Sequence, residues 1–305
     1  MEQSLNLKYT CIVNKTRIIP PTEFSFELAC SFLERSPREL LHRVEGGVVY
    51  KALRVVDKNI LLVIEQDQSD LIIQFLNHNP SSMEKDYVTQ YIYEWLDLST
   101  DIKPFYKLVE SDKLLGPLIK TFYGYRIVGQ PDLFESLVWA VLGQQINLTF
   151  AYTLKQRFVE QFGEAIEHEG KKYFLFPSHK VVAQLTPESL LALQFSKQKA
   201  NYTIGIAQAF ASGEITKESL QHLSLAEGKE KLMKIKGIGN WTANYALMKT
   251  FRYPDAFPIE DVGIHNAIKN LKGMKSKPTL DQVKRMFKKY KGWEAYATLY
   301  LWKSL

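Results

Sequence analysis

The sequence has little cysteine and no long apolar segment. Cys11 and Cys30 are its only two cysteines, too few for a disulfide framework, a four-thiolate zinc site or an iron–sulfur cluster. No run of about 18 apolar residues occurs, so we expect a chain that does not span a membrane. The first residues also lack the apolar core of a signal peptide. Together these absences favour the reducing cytoplasm as the location of the protein.

Basic charge is concentrated in the last quarter of the chain. The 305 residues carry a formal net charge of +6, from 39 Lys and Arg against 33 Asp and Glu. Residues 229–305 carry 16 Lys and Arg against 6 Asp and Glu, a local charge of +10, whereas residues 1–228 have a local charge of −4. This distribution is typical of a protein that binds a polyanion. A solvated lysine-rich face is the alternative that charge alone leaves open.

Residues 1–105 predict a small α+β domain. Three aliphatic, β-branched runs separated by polar turns, GGVVYKALRVV, NILLVIEQ and DLIIQFLN, predict consecutive antiparallel strands. Two stretches, PTEFSFELACSFLERS and PRELLHRV, have helical spacing and predict helices. We place the end of this domain at about residue 105, to within about ten residues.

Residues 106–305 predict an all-helical domain. Several helix starts are marked by a capping box, in which Ser, Thr or Asp is followed three residues later by Glu or Gln. These boxes begin at Asp132, Ser224 and Thr279. Gly163 marks a helix end. The predicted fold class is therefore mostly α, a helical domain preceded by a small α+β domain with an antiparallel sheet.

The segment LMKIKGIGNWTA predicts two helices joined by a glycine hairpin, within residues 225–251. The first helix ends near Lys234, and Asn240 is a good N-cap for the second. A Gly-Ile-Gly turn exposes backbone N–H groups beside the positive end of the second helix, where a phosphate can bind. The residues expected to contact DNA here are Lys234, Lys236, Gly237, Ile238 and Gly239. An ordinary turn, in which glycine only ends a helix, is the alternative.

A carboxylate follows this hairpin by about twenty residues. Pro258 interrupts the chain, and Asp261 stands where the next helix should begin. A single Asp at such a position is most often an N-cap, which is the alternative to a functional role. Its spacing from the hairpin makes a catalytic role the hypothesis to test.

The segments LFESLVWAVLGQQIN, KGIGNWTANYALM, FPIEDVGIHNAI and AYATLYLWKSL resemble the helix-hairpin-helix (HhH-GPD) DNA glycosylases. Within them the chain is most similar to the 3-methyladenine DNA glycosylase II (AlkA-like) family, and FSFELACSFL and GGVVYKAL extend the likeness into the first domain. The resemblance implies a monofunctional enzyme of base excision repair that binds double-stranded DNA with damaged bases. It also implies release of alkylated purines such as 3-methyladenine, no cofactor, a monomer, and a place on the nucleoid.

The resemblance also implies roles for single residues. Asp261 matches the catalytic aspartate, and Trp241, Tyr245 and Trp302 match positions of the base pocket. Trp241 lies where bifunctional relatives have a Schiff-base lysine, so we expect no strand-cleaving lyase activity. Gln145 matches the residue that fills the gap left by the flipped nucleotide, although that residue is typically aliphatic in this family.

Three assignments stay open at this point. The resemblance implies a possible monovalent cation on the carbonyl groups of Ile235 and Ile238. His265 either polarises the site, binds phosphate, or is an ordinary surface or core residue. The aromatic residues have helical spacing, so a place in the core is the alternative to a place in a pocket.

The chemistry of base excision explains these residue types. The base must leave the duplex to be reached, and breaking its bond to the sugar builds positive charge on the deoxyribose. An ionised Asp261 beside the sugar stabilises that charge, and aromatic faces suit a cationic alkylated purine. The alternatives are a glycosylase for oxidised or deaminated bases, a non-catalytic damage-binding module, and a DNA-bending protein.

Overall fold

The computed structural model describes residues 14–305 completely and the backbone of residues 9–12. The side chain of Cys11 therefore lies outside the described residues. Cys30 is free and buried, and burial raises the pKa of its thiol to about 11. A buried thiol of this kind is a small apolar core residue rather than a reactive one.

The first part of the chain forms a six-stranded antiparallel sheet. Its strands are β1 (Tyr9–Ile12), β2 (Lys15–Ile18), β3 (His42–Glu45), β4 (Val48–Val55), β5 (Lys58–Asp67) and β6 (Asp70–Phe75). They lie in the order β1-β2-β6-β5-β4-β3. The three predicted strands are β4, β5 and β6, and their consecutive antiparallel pairing is confirmed. Two helices, α1 (Phe26–Leu33) and α2 (Ser82–Trp95), pack against the sheet.

The predicted helix over PRELLHRV is wrong. Residues 37–41 form a turn and a bend, and His42 begins β3, which pairs with β4 from His42–Lys51 to Glu45–Val48. The apolar residues of this segment are too few to distinguish a helical period from a strand period. Pairing with β4 decides the outcome, and Leu41 is buried in the core of the helical part instead.

The rest of the chain is helical apart from one β-hairpin. Its helices are α3 (Lys103–Val109), α4 (Gly116–Thr121), α5 (Leu133–Gly143), α6 (Leu148–Phe162), α7 (His179–Val182), α8 (Pro187–Leu191), α9 (Lys197–Ala211), α10 (Leu225–Met233), α11 (Asn240–Phe251), α12 (Val262–Leu271), α13 (Leu280–Phe287) and α14 (Glu294–Lys303). None of the helices in the described part of the chain is both long and apolar enough to cross a membrane.

The hairpin, β7 (Glu164–His168) with β8 (Lys171–Leu175), corrects the prediction of an all-helical second domain. Its charged sequence hides the strand pattern, because only Tyr173 and Leu175 of β8 are buried. Both pack on Ala52 and Leu61 of the large sheet. The hairpin is therefore stabilised by a contact with the first part of the chain that its own sequence does not show.

Helix capping follows the predicted pattern at two of the three boxes. Ser224 and Thr279 form complete capping boxes at the starts of α10 and α13. Asp132 caps α5 by accepting from the backbone N–H groups of Phe134 and Glu135. Glu135 does not complete that box, because its carboxylate lies 3.8 Å from the ammonium of Lys155.

A buried ion cluster joins the sheet part to the helical part. Lys155 of α6 pairs with Glu39, which precedes β3, at 2.9 Å, and with Glu135 of α5 at 3.8 Å. Burial alone would raise the pKa of Glu39, but the Lys155 ammonium lowers it to about 2. Burial raises the pKa of Glu135, despite the same lysine. The cluster keeps the segment before β3 against the α5–α6 pair.

Candidate active site

Asp261 is both an N-cap and the centre of a cluster of N–H donors. Its Oδ1 accepts from the backbone N–H of Gly263 at 2.8 Å and of Ile264 at 3.3 Å, which caps α12. Oδ1 also accepts from the indole Nε1 of Trp302 at 2.8 Å, and Oδ2 from that of Trp241 at 2.9 Å. Four N–H groups thus point at a half-buried carboxylate, an arrangement complementary to an anion.

Gly263 makes the approach of Trp302 to this carboxylate possible. A Cβ at residue 263 would lie 2.8 Å from Oδ1 of Asp261 and 2.9 Å from the indole of Trp302. Any side chain there would push α14 away from the first turn of α12. The glycine after Asp-Val is therefore part of the site, which the sequence analysis did not predict.

The predicted pocket residues form one row of rings beside Asp261. The ring centroids of Trp241 and Tyr245 are 5.4 Å apart and nearly parallel, and those of Tyr245 and Trp302 are 6.2 Å apart. A base between two rings needs a separation of about 7 Å, twice the usual carbon contact distance. The row therefore offers its outer faces to a base rather than a slot between rings. Trp241 and Trp302 are partly exposed, and Tyr245 is buried.

Four further side chains extend this row, and the sequence analysis missed their part in it. Trp139 of α5 donates from Nε1 to the hydroxyl of Tyr245 at 3.0 Å, and its ring centroid is 4.8 Å from that of Tyr152. Arg35, just after α1, donates to the Tyr152 hydroxyl and lies 3.9 Å over the ring of Phe32. Trp139 is 106 positions from Tyr245 and Arg35 is 117 positions from Tyr152, so no local pattern connects them.

The hairpin has the predicted form with one shift at the second helix. Asn240 is the first residue of α11, and Gly239 is its N-cap, which corrects the predicted cap. The Asn240 side chain instead donates to Glu260 at 2.8 Å, next to Asp261. No side chain caps α11, so its first N–H groups stay available to a phosphate.

The predicted contact residues of the hairpin divide into exposed and buried ones. Lys234, Lys236 and Gly239 are exposed, whereas the side chain of Ile238 is buried. Ile238 therefore contributes only its backbone to this surface. Gly237 has a φ of +98°, and a Cβ there would come within 2.3 Å of the Tyr202 ring. Both backbone conformation and packing require glycine at residue 237.

Gln145 lies outside α5, on the loop that follows it. α5 ends at Gly143, and Gln145 is exposed with a φ of +56°. Gln144 donates from Nε2 to the carbonyl of Gly237 and to Oγ1 of Thr242, both at 3.0 Å. The loop that carries Gln145 is thereby fastened to the hairpin.

His265 holds the loop before Asp261 and faces no open site. Its Nδ1 lies 2.9 Å from the carbonyl oxygen of Pro278, and its Nε2 lies 3.0 Å from that of Ile259. Both ring nitrogens therefore have backbone partners. Of the three roles considered for His265, these contacts favour that of an ordinary structural residue. In residues 14–305 no group of His, Cys, Asp and Glu is arranged to hold a metal ion.

Family models match this chain, and a solved structure has the same fold. The family model for "HhH-GPD superfamily base excision DNA repair protein" matches residues 138–292, and that for "8-oxoguanine DNA glycosylase, N-terminal domain" matches residues 44–137. The 3-methyladenine DNA-glycosylase from Archaeoglobus fulgidus has the same fold, with a TM-score of 0.83 and 24% identity over 94% of this chain and 97% of its own.

Sequence relatives agree with this assignment. The chain is 42% identical to the DNA-3-methyladenine glycosylase of Bacillus subtilis over 93% of this chain and 95% of that protein. It is 30% identical to DNA-3-methyladenine glycosylase 2 of Escherichia coli over 62% of this chain and 63% of that protein. The chain belongs to the HhH-GPD superfamily of base excision DNA repair proteins, in the family that includes the Bacillus subtilis enzyme.

Proposed function

We propose that the protein is a monofunctional DNA glycosylase that flips alkylated purines, such as 3-methyladenine, out of duplex DNA and hydrolyses their N-glycosidic bond. The observation that carries the proposal is the Asp261 carboxylate, held by four N–H donors beside a row of aromatic rings. The names of relatives that match over most or much of the chain support the same substrate class. An enzyme of type II with no lyase activity is part of the proposal.

In the proposed mechanism Asp261 acts on the sugar. The bond from C1′ to the base nitrogen breaks, its electron pair leaves with the base, and positive charge develops on the deoxyribose. The carboxylate stabilises that charge, because the donors fix it in place before the reaction begins. Water then adds to C1′, and its proton passes to Asp261 or to solvent. The products are the free base and an abasic sugar.

The aromatic row gives the proposed pocket a preference for cationic alkylated purines. The partly exposed Trp241 and Trp302 present ring faces to a flipped base, with the buried Tyr245 between them, and a cationic purine gains cation–π attraction there. An alkylated cationic base departs as a neutral molecule, so no strong general acid is needed. Selectivity would then depend on how easily each lesion leaves.

The proposed absence of lyase activity follows from two residues of α11, Trp241 and Lys249. Trp241 has no amine to form a Schiff base with the sugar. Lys249 lies on the same face two turns further, about 12 Å along the helix. It is buried and donates to the carbonyl of Val128. Neither residue can attack C1′ beside Asp261.

Base release without strand cleavage is the first expected result. Purified protein is incubated with duplexes that carry 3-methyladenine, 7-methylguanine, hypoxanthine or 8-oxoguanine, and free base and strand breaks are measured with and without hot alkali. We expect release of the two methylated purines and strand breaks only after alkali, because the abasic product is left intact. Breaks without alkali would show lyase activity, and preferential release of 8-oxoguanine would favour a glycosylase for oxidised bases.

We further propose that the hairpin binds the DNA backbone through Lys234, Lys236, Gly239 and the backbone N–H groups of the turn at Gly237 and of the start of α11. The N–H of Ile238 is not one of them, because it bonds to the carbonyl of Ile235. The uncapped start of α11 supports this role, because unpaired N–H groups beside the helix dipole attract a phosphate. Such contacts fix position and carry no sequence information. We also propose that Gln145 fills the gap left by the flipped nucleotide. Its exposed position on the loop that is hydrogen-bonded to this hairpin supports that role.

Gly239→Asp is expected to weaken binding to damaged and undamaged duplexes by the same factor, about tenfold or more. A carboxylate at this N-cap repels the phosphate, while the fold accepts it, since Asp is a good N-cap and a Cβ there meets nothing within 4 Å. Equilibrium binding to matched lesion and lesion-free duplexes measures the effect. A loss confined to the lesion duplex would contradict backbone binding.

The proposal also includes a cation on the hairpin, the domain boundary and the location of the protein. A monovalent cation on the hairpin is compatible with Ile235, whose carbonyl accepts the N–H of Ile238 and keeps a second lone pair. The domain boundary near residue 105 is supported by a change of core between Leu98, which packs with the sheet, and Ile102, which packs with the last helices. A monomer located on the cytoplasmic nucleoid is part of the proposal.

A further inference from the structure

Lys199 is a buried ammonium whose partners are all backbone carbonyls. It lies in the first turn of α9 and is 8% exposed. Its Nζ donates to the carbonyl oxygens of Val141 at 2.7 Å, Leu142 at 2.9 Å and Gln144 at 2.7 Å. Among the ion pairs of residues 14–305, none involves Lys199. Burial without a counter-ion lowers the pKa of its ammonium to about 8.

The three carbonyls belong to the end of α5, immediately before Gln145. The last carbonyls of a helix have no partner within the helix, and they carry its negative dipole charge. One ammonium with three N–H donors bonds to three carbonyls of this helix end at once, of which only that of Val141 also accepts a backbone N–H, from Gln144. The chain then turns through Gln145, whose φ of +56° is uncommon outside glycine and needs support from its surroundings.

The loop of Gln145 is also hydrogen-bonded to the hairpin and α11. The Gln144 side chain bonds to Gly237 of the hairpin and to Thr242 of α11. Gly143 lies beside the proposed pocket, because a Cβ added there would be 3.9 Å from the Trp241 ring. The end of α5 is thus held between Lys199 and the hairpin.

We propose that Lys199 is a positioning residue that holds the loop of Gln145 in the conformation that fills the gap left by a flipped base. The inference rests on the proposed function, because it needs a base to be extracted from a duplex. Without the ammonium, the carbonyls of Leu142 and Gln144 lose this partner, that of Val141 keeps only the N–H of Gln144, and the loop relaxes. Extraction from a duplex then becomes slow, whereas bond cleavage at Asp261 is unaffected once a base is bound.

The test compares duplex and single-stranded substrates that carry the same alkylated purine. Single-turnover release is measured for Lys199→Met and for Lys197→Met, an exposed lysine on the same helix as the matched control. We expect Lys199→Met to slow release from the duplex at least tenfold and from the single strand less than twofold. The control should change neither rate. Equal losses on both substrates would show a purely structural role and overturn the proposal.

A double variant tests whether Lys199 acts through Gln145. In a Gln145→Ala background, Lys199→Met should slow duplex release by less than twofold further, because the side chain being positioned is already absent. Full additivity of the two losses would overturn the proposal. If Lys199→Met does not fold, Lys199→Gln, which keeps two N–H donors without the charge, is measured in the same comparisons, with an intermediate loss expected.

A fluorescence measurement separates this inference from the proposed function. A 2-aminopurine beside the target base reports unstacking without any bond cleavage. Wild-type protein should raise its fluorescence in the duplex, and Lys199→Met should reduce that rise at saturating protein. If the wild-type protein unstacks the duplex but releases no alkylated base, the proposed function fails and this inference stands. An equal rise in the variant overturns the inference alone.

Discussion

Asp261→Asn is expected to slow base release about 1000-fold, which corresponds to roughly 4 kcal/mol of transition-state stabilisation. The amide keeps an oxygen for the N–H groups of Gly263 and Ile264, and Asn is as good an N-cap as Asp. It loses the negative charge that stabilises the cationic sugar. Single-turnover release from a lesion duplex measures the rate, and equilibrium binding should change less than threefold.

Asp132→Asn is the matched control for this variant. Asp132 caps α5 with the same pair of backbone bonds, at 2.8 Å to Phe134 and 3.2 Å to Glu135, but lies outside the proposed site. Its rate of base release should stay within twofold of the wild-type rate. If Asp261→Asn keeps more than a tenth of the wild-type rate, the residue is only an N-cap and another group performs the chemistry.

Gly237→Ala is expected to lower the free energy of unfolding by about 2–4 kcal/mol and to weaken DNA binding with it. The new alanine would have to adopt a φ of +98°, and its Cβ would lie 2.3 Å from the ring of Tyr202. A movement that relieves this clash would shift the turn that carries the N–H groups proposed to bind phosphate. Thermal unfolding measures the stability, and equilibrium binding to an undamaged duplex measures the affinity.

Gly239→Ala is the control for Gly237→Ala, because it adds a methyl group to the same turn without a contact with Tyr202. Residue 239 has a φ of −92°, and a Cβ there meets nothing within 4 Å. Its unfolding free energy should stay within about 1 kcal/mol of the wild-type value. Equal destabilisation by the two substitutions would show that the Tyr202 contact does not set the requirement for glycine at residue 237.

Local rules predicted those parts of the fold that local interactions decide. The capping boxes at Ser224 and Thr279 formed because all of their partners lie within three residues. Strands β4 to β6 formed because short turns connect them. The rules failed at β3, whose few apolar residues show no strand period, and at the β7–β8 hairpin, whose stabilising partners lie on the distant sheet.

The candidate site shows the same division. The spacing from the hairpin made Asp261 a candidate, and the resemblance to the glycosylase family made Trp241, Tyr245 and Trp302 candidates. The double contact of the carboxylate with two indoles joins residues 20 and 41 positions away from it, and no sequence rule gives such a pairing. Arg35 and Lys199 were missed because an isolated basic residue in a sequence is most often a solvated one.

The buried ion cluster has a consequence for how the chain can be divided. A fragment that begins at the proposed boundary near residue 105 would keep Lys155 and Glu135 but lose Glu39, the nearer carboxylate. Removing one partner of a buried ion pair costs about 3–5 kcal/mol, a large share of the 5–15 kcal/mol that stabilises an ordinary domain. The catalytic helices and the preceding sheet should therefore melt as a single cooperative unit, so the sheet is a folding partner of the enzyme and not a detachable accessory.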